Sequence, residues 1–148
     1  MDKTVESFKL DHRTVKAPYV RLAEVMTGPK GDVVTKFDLR LIQPNTDAIP
    51  TAALHTLEHI LAESIREELE GVIDLSPMGC RTGFYLIVFG QPDLEKVKRA
   101  LCKSLEKVLE AKEVPAANPI QCGTDRDHSL FGAQEYAKQI LENFIQQQ

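Results

Sequence analysis

The sequence predicts an α+β fold in which amphipathic helices pack on one face of a mostly antiparallel sheet. Paired runs of strand-type residues are joined by turn-forming residues, and three later segments each carry one apolar stripe at helical spacing. Strands joined as hairpins favour antiparallel pairing, and a helix with one apolar face needs another layer against which to bury it. With 148 residues, the chain is expected to form a single domain over residues 1–148.

Four strands are predicted, as two pairs. Residues 19–26 and 33–41 alternate apolar and polar positions around a turn that contains glycine and proline. A second pair is expected at residues 72–75 and 83–90, with a turn over residues 76–79. The last run is apolar and aromatic almost throughout, which predicts that both of its faces are covered. Helices would cover one face and a second copy of the chain the other, so a homodimer that forms through the sheet is expected.

Three helices are predicted. The first runs from about residue 50, a proline that suits a first helical turn, to residue 69. The second begins at Asp93 and ends before Pro115, and the third covers residues 130–145. Their apolar stripes comprise Leu54, Leu57, Leu61 and Ile65, then Leu94, Val97, Leu101, Leu105 and Val108, then Ala133, Ala137, Ile140, Leu141 and Phe144.

Composition excludes several classes of function. Hydrophobic residues are 43% and charged residues 27% of the chain, as in ordinary globular proteins. A net charge of -4 with interspersed basic residues argues against nucleic-acid binding. No apolar run approaches bilayer length and the N-terminus has no signal-peptide pattern, so a cytoplasmic protein without membrane contact is expected. Three widely spaced cysteines do not form a disulfide framework.

The strongest local signal is His55-Thr56-Leu57-Glu58-His59 in the first predicted helix. It places two imidazoles one helical turn apart, where both can reach one metal ion. The motif lies along one edge of the apolar stripe, so the ion would sit at the rim of the core. Glu58 between the histidines is then a candidate acid/base, because a partly dry carboxyl group can have its pKa raised.

A catalytic metal site needs about three protein ligands and one open position. The candidates for the third ligand are His12, Cys80, Cys102, Cys122, His128 and the carboxylates. Cys102 lies on the apolar side of a helix, so it is interpreted as a small buried hydrophobic residue. Cys80 in a turn and Cys122 in a loop are equally placed by spacing alone, and that choice stays open on the residues themselves.

Five segments, in order over nearly the whole chain, resemble the S-ribosylhomocysteine lyase family. They are Ser7-Phe8-Lys9-Leu10-Asp11-His12, Ala17-Pro18-Tyr19-Val20-Arg21, the motif from His55 to His59, Asp74-Leu75-Ser76-Pro77-Met78-Gly79-Cys80-Arg81-Thr82-Gly83-Phe84-Tyr85, and Gln121-Cys122-Gly123. Together these segments are far more specific than the histidine motif alone.

The resemblance implies a reaction and a set of residue roles. Members cleave the thioether of S-ribosylhomocysteine to homocysteine and 4,5-dihydroxy-2,3-pentanedione, the precursor of autoinducer-2, as part of the activated methyl cycle. The implied metal ligands are His55, His59 and Cys122, and the implied catalytic residues are Glu58 and Cys80. The implied substrate-binding residues are Ser7, His12, Arg40 and Asp74.

The resemblance also implies a cofactor and an assembly. One divalent metal per subunit is expected, natively iron(II), with zinc or cobalt able to take its place, and the active sites would lie at the interface of a homodimer. Two alternatives come from other classes: a small metallopeptidase of the inverted-zincin type, completed by a carboxylate such as Glu135, and a non-catalytic metal-binding module.

Overall fold

Four antiparallel strands form one sheet, and three long helices pack together against it. The computed structural model describes residues 2–148. The strands are β1 (Tyr19–Thr27), β2 (Val33–Arg40), β3 (Val72–Pro77) and β4 (Gly83–Phe89), in the spatial order β1-β2-β4-β3. The helices are α1 (Glu6–Lys9), α2 (Thr51–Glu68), α3 (Leu94–Glu110) and α4 (Leu130–Gln146). The predicted α+β class is therefore confirmed.

The hairpin of β1 and β2 forms where the sequence predicts it. Thr27 pairs with Val33, and the Gly28 N–H donates to the carbonyl of Asp32 at 2.7 Å to close the turn. A bulge between Leu22 and Glu24 shifts the register within β1. Such bulges increase the local twist of the strand pair.

The core lies between the helices and one face of the sheet. Phe37 and Leu39 of β2 and Leu86 of β4 point into it and are fully buried. Leu57 and Leu61 of α2 meet them from the helical layer and are fully buried as well. Burying each such side chain contributes about 1.5–3 kcal/mol, so this apolar stripe fixes which edge of α2 is left for function.

The other face of the sheet has a charged end and an apolar end. Asp38 and Arg40 of β2 are buried at the charged end, next to Arg21 of β1, which pairs with Glu6 of α1. At the apolar end, Met26 is 61% exposed and Phe89 is 56% exposed, beside half-buried Ile87. The helices therefore leave this apolar end uncovered in the isolated chain.

Side-chain caps define where the later helices begin. Asp93 accepts a hydrogen bond from the Lys96 N–H at 2.8 Å, and Ser129 accepts one from the Gly132 N–H at 3.0 Å. Such caps satisfy N–H groups that have no partner within the helix. Across residues 2–148, the helices all fall short of the length and apolar content needed to cross a bilayer.

Two local features differ from the sequence prediction. The predicted turn over residues 76–79 is partly strand, because Ser76 pairs with Tyr85 and Pro77 pairs with Phe84. Proline is tolerated here since β3 is an edge strand and Pro77 is its last residue. The sequence analysis also did not predict α1, whose four residues are too few to show helical periodicity.

Candidate metal centre and cysteine cavity

His55 and His59 lie on the half-buried edge of α2, with ring centroids 4.6 Å apart. His55 Nδ1 bonds the carbonyl of Asp127 at 2.9 Å, and His59 Nδ1 bonds the carbonyl of Pro115 at 2.7 Å. A carbonyl can only accept, so each Nδ1 must carry the ring hydrogen. In the neutral rings both Nε2 atoms then present lone pairs, which is the tautomer that a metal ligand bound through Nε2 requires.

The same two hydrogen bonds bring a cysteine to the histidines. Pro115 and Asp127 lie on either side of Cys122 in the loop between α3 and α4, so the imidazoles of α2 hold both flanks of this loop. Cys122 Sγ lies 3.4 Å from His55 Nε2. Metal bonds of roughly 2.0–2.1 Å to nitrogen and 2.3 Å to sulfur at tetrahedral angles put the two ligand atoms about 3.5 Å apart. The donor set therefore fits one ion.

His128 completes a cluster of four side chains. Its Nε2 lies 3.8 Å from Cys122 Sγ, and its ring stacks on that of His55 with centroids 3.9 Å apart. The ligand atoms of His55, His59, Cys122 and His128, called the metal cluster below, all lie within 4.8 Å of one another and could bind a metal ion. Burial lowers the pKa of His128, and repulsion from His55 and His59 whenever those rings are protonated lowers it further, which favours the neutral imidazole of His128.

Glu58 lies between the two histidines on α2 and is half-buried. Within the part of the chain that the structure describes, its carboxylate forms no salt bridge with a lysine or arginine. The Glu58 carboxylate is therefore not neutralised by an ion pair with a basic side chain of these residues.

A separate cavity of about 340 Å³ contains Cys80. It is lined by Ser7, Phe8, His12, Arg40, Met78, Gly79, Cys80 and Tyr85 and is called the cysteine cavity below. Three residues expected to bind substrate, Ser7, His12 and Arg40, thus meet the expected catalytic cysteine. His12 Nδ1 bonds the carbonyl of Leu10 at 2.9 Å. A carbonyl can only accept, so Nδ1 carries a hydrogen, and in the neutral ring Nε2 is a lone pair.

The turn between β3 and β4 presents Cys80 to this cavity. Its ends are tied by the Met78 N–H, which donates to the carbonyl of Gly83 at 2.9 Å. Arg81 has a φ of 61°, which is uncommon for a residue with a side chain. Only glycine fits at position 83, because a Cβ there would lie 2.1 Å from the carbonyl oxygen of Leu39. The tight approach of β2 to the turn therefore fixes the position of Cys80.

A buried ion-pair network supports Arg40. The Arg40 guanidinium donates to both oxygens of Asp38, at 3.1 and 3.0 Å, and Asp38 also accepts from Arg21 and from the Tyr19 hydroxyl. Arg21 in turn pairs with Glu6 of α1, which ties that short helix to the sheet.

The network also shifts the pKa values of its members. Burial opposes the charge of Arg40, but the hydrogen bonds and charge of Asp38 outweigh this effect and raise the pKa of Arg40. Burial, then the charge of Asp38, raises the pKa of Tyr19 to about 12.

Thr82 links this network to the cysteine. Arg40 Nη1 donates to Thr82 Oγ1 at 3.1 Å, and Thr82 Oγ1 lies 3.0 Å from Cys80 Sγ. Because the hydroxyl oxygen already accepts from the guanidinium, its own hydrogen is free to point at the sulfur. Arg40 and Cys80 are therefore joined through one buried hydroxyl.

The turn that carries Cys80 also contacts the chain that leads into α2. The Ile49 N–H donates to the carbonyl of Arg81 at 2.9 Å, and the Arg81 guanidinium donates to the carbonyl of Ile49 at 3.1 Å. His55 follows in the first turns of that helix. These two bonds therefore connect the elements that carry the cysteine cavity and the metal cluster.

Three other candidates lie apart from both regions. Asp74 is exposed on β3, where its carboxylate accepts from the Ser76 hydroxyl. Cys102 packs against the core on α3, and burial raises its pKa, as suits a structural thiol. Glu135 is exposed on α4 and is not a member of the metal cluster, so the ligand set of an inverted-zincin peptidase is not favoured.

Three residues at these sites were not singled out for such roles by sequence reasoning. His128 was one of several candidate ligands, and its position six residues after Cys122 in one loop was a usable signal. Thr82 and Asp38 gave no usable signal. Each lies two residues from one partner, Cys80 or Arg40, but the contacts that complete the network, from Arg40 to Thr82 and from Tyr19 and Arg21 to Asp38, come from other strands.

The fold and the metal cluster together define a class of small α+β proteins with a His/Cys metal centre. The chain belongs to the S-ribosylhomocysteinase (LuxS) family, whose sequence profile matches residues 5–148. Two clostridial relatives carry the name S-ribosylhomocysteine lyase. The one from Clostridium botulinum is 64% identical over 138 residues, which are 93% of this chain and 91% of the relative. The one from Clostridioides difficile is 62% identical over the same coverage of each chain.

A third similar protein extends the comparison beyond the clostridia. S-ribosylhomocysteine lyase of Enterococcus faecalis is 57% identical over 142 residues, which are 95% of this chain and 92% of the relative.

Proposed function

We propose that this protein cleaves the thioether of S-ribosylhomocysteine, giving homocysteine and 4,5-dihydroxy-2,3-pentanedione. The observation that carries the proposal is the convergence of two imidazole lone pairs and one sulfur on a single point, in a chain of the S-ribosylhomocysteinase family. The names of the similar proteins support the same substrate. The product would be the precursor of autoinducer-2, and homocysteine would return to the activated methyl cycle.

His55, His59 and Cys122 are proposed to hold one divalent ion per chain. Iron(II) is the proposed native ion, with zinc and cobalt as ions that the same nitrogen and sulfur donors accept. When bound, the ion supplies a Lewis acid that polarises the sugar carbonyl and so acidifies the C–H bonds beside it.

Glu58 and Cys80 are proposed to move the protons. A thioether leaves readily only when a carbanion can form on the neighbouring carbon, so the sugar carbonyl must first migrate along the chain by repeated enolisation. Each migration removes a proton from one carbon and delivers one to another, which two positioned groups can perform. Once the carbonyl reaches the third carbon, a base removes the adjacent proton and homocysteine departs as its thiolate. This β-elimination requires no external redox cofactor.

The cysteine cavity is proposed to bind the substrate. Ser7 and His12 offer polar groups there, and Arg40 is held rigidly by Asp38 and Thr82, so it can orient a ligand without losing side-chain entropy on binding. Asp74 is proposed as a further substrate contact on the grounds of the family resemblance.

A homodimer with active sites at the interface is proposed as the functional form. The uncovered apolar end of the sheet, with exposed Met26 and Phe89, is the support within the chain, because such a patch favours a partner surface. Residues 1–148 are proposed to form one domain, and the support is one contiguous hydrophobic core that includes all the long elements. Three free cysteines favour the reducing cytoplasm as the location.

The direct test is release of free thiol from S-ribosylhomocysteine by anaerobically purified protein. We expect one equivalent of homocysteine thiol per substrate cleaved. Glu58→Gln and Cys80→Ala should each lose turnover by about 10²–10⁴-fold while they keep the fold and the bound metal. Absence of thiol release by the metal-loaded wild-type protein would contradict the proposed lyase activity, and wild-type turnover in both variants would contradict the acid/base roles.

A further inference from the structure

His128 differs from the other two histidines of the metal cluster in what its Nδ1 contacts. The partner is not a carbonyl but the hydroxyl of Thr56, at 2.9 Å. Thr56 lies on α2 and is fully buried, and its oxygen already accepts from the Ser129 N–H at 3.0 Å. A buried hydroxyl hydrogen needs an acceptor, and within residues 2–148 the hydrogen-bond partner in reach is His128 Nδ1.

The direction of that hydrogen bond sets the tautomer of His128. If Thr56 donates to Nδ1, then Nδ1 is a lone pair and the hydrogen of the neutral ring sits on Nε2. Nε2 is the atom that faces Cys122 Sγ, at 3.8 Å. An N–H group cannot ligate a metal, but it can donate to a sulfur. His55 and His59, with their hydrogens on Nδ1, have the opposite tautomer.

Ring geometry supports the same distinction. Two imidazoles that bind one ion through Nε2 at a tetrahedral angle, with metal bonds of roughly 2.0–2.1 Å, have ring centroids about 5 Å apart. The pair His55 and His59 and the pair His59 and His128 are both close to this value, at 4.6 Å, so the distance to His59 does not separate the two roles. His55 and His128 instead stack at 3.9 Å with their planes 22° apart. A stacked ring lies beside a ligand rather than on the opposite side of the ion.

We propose that His128 is a positioning residue that donates its Nε2–H to the Cys122 sulfur, and that Thr56 fixes it in this tautomer. The proposal rests on the ligand set of the proposed function. A hydrogen bond to a ligating sulfur withdraws electron density from it, so the bound ion becomes a stronger Lewis acid. With His128 outside the ligand set, the site keeps three protein ligands and one position open for substrate, as a catalytic centre requires.

Nitrogen NMR of the wild-type protein tests the tautomer directly. The protein is labelled with ¹⁵N-histidine and loaded with Zn(II), and long-range ¹H–¹⁵N correlations are recorded. We expect His55 and His59 to be protonated at Nδ1 and metal-bound at Nε2, and His128 to be protonated at Nε2. A metal-bound Nε2 on His128 would overturn the proposal. Failure to bind one equivalent of Zn(II) would instead contradict the proposed function.

Matched variants test what the hydrogen bond does, with cobalt(II) as the probe. His128→Phe keeps a ring that can stack on His55 but has no N–H, whereas His128→Gln keeps an N–H at the same number of bonds from the backbone. We expect both to bind one cobalt(II) per chain, with affinity about 10–100-fold lower in His128→Phe. The sulfur-to-cobalt charge-transfer band should move to lower energy in His128→Phe and remain near its wild-type position in His128→Gln. An unmoved band in His128→Phe would overturn the proposal.

Thr56 provides the second pair of variants. Thr56→Val removes the hydroxyl at nearly constant volume, and the Ser129 N–H keeps the carbonyl of Ala52 as its acceptor at 3.2 Å. We expect the ¹⁵N signals of His128 to report a mixture of tautomers in Thr56→Val and the Nε2–H form again in Thr56→Ser. An unchanged tautomer in Thr56→Val would overturn the role given to Thr56.

Discussion

The metal cluster and the cysteine cavity are organised by different interactions. In the metal cluster, neutral imidazoles make single hydrogen bonds to backbone carbonyls or to a hydroxyl, and the loop that supplies Cys122 is held by those bonds. In the cysteine cavity, the supporting groups are charged. Arg40 is 1% exposed and Asp38 is fully buried, and each satisfies the other.

This difference indicates what each region can tolerate. Neutral groups on a loop can rearrange when an ion binds or leaves, at little electrostatic cost. A buried ion pair cannot lose one member without leaving the other charge in a dry environment. The metal cluster should therefore respond to loss of a ligand chiefly in metal affinity, and the cavity should respond to loss of a charge chiefly in stability.

The largest effect is expected from Cys122→Ala. The variant should bind metal more than about 100-fold more weakly, because loss of an outer partner alone costs roughly 10–100-fold and a direct ligand contributes more. Turnover should be lost with the metal. Metal content after dialysis and thiol release are the measurements, and Cys102→Ala is the matched control that should keep both. Full metal retention in Cys122→Ala would remove the distinction between the two regions.

Cys80→Ala tests the same difference through a residue of the cysteine cavity. We expect turnover to fall by about 10²–10⁴-fold while one metal ion per chain is retained, because the sulfur of Cys80 is not a member of the metal cluster. The comparison is made by assaying metal content and activity on the same preparation. Loss of metal in this variant would mean that Cys80 is a ligand, and the two regions would then be one site.

Removing a charge from the buried network beside the cysteine cavity should lower the free energy of unfolding. Asp38→Asn leaves the buried Arg40 guanidinium with a neutral partner and Arg21 with Glu6 as its remaining carboxylate, and the expected loss is roughly 3 kcal/mol in the free energy of unfolding. Urea denaturation measures it. Asp11→Asn is the control, since its ion pair with Arg13 is exposed to solvent and should change stability little. Equal effects of the two substitutions would show that the buried network does not support the fold.

The smallest effect is a dependence of stability on alkaline pH. The pKa of Tyr19 is raised from 10.0 to about 12 in the fold, so the unfolded chain loses this proton first. The contribution of Tyr19 is therefore present below pH 10 and is lost as the pH rises from about 10 to about 12. Tyr19→Phe should show a shallower decline of the urea midpoint over this range. Identical pH profiles would contradict a raised pKa of Tyr19 in the fold.

Much of the fold could be predicted because its signals are local. The hairpin of β1 and β2 follows from alternation and turn residues, and α2 follows from the spacing of Leu54, Leu57 and Leu61. The elements that differed were those with weak local signals. These are the four-residue helix α1 and the edge strand that extends through Pro77.

The pairing of His55 and His59 was determined by the sequence itself, because residues four apart on a helix always share a face. The sequence did not determine which cysteine lies beside these histidines. Cys122 is 67 residues away from His55, and by spacing alone Cys80 was an equally good candidate for the third ligand. Only the packing of α3 and α4 against α2 decides where that loop lies. The hydrogen that makes His128 a donor likewise depends on Thr56, 72 residues away, because a tautomer is set by contacts in space and not by periodicity along the chain.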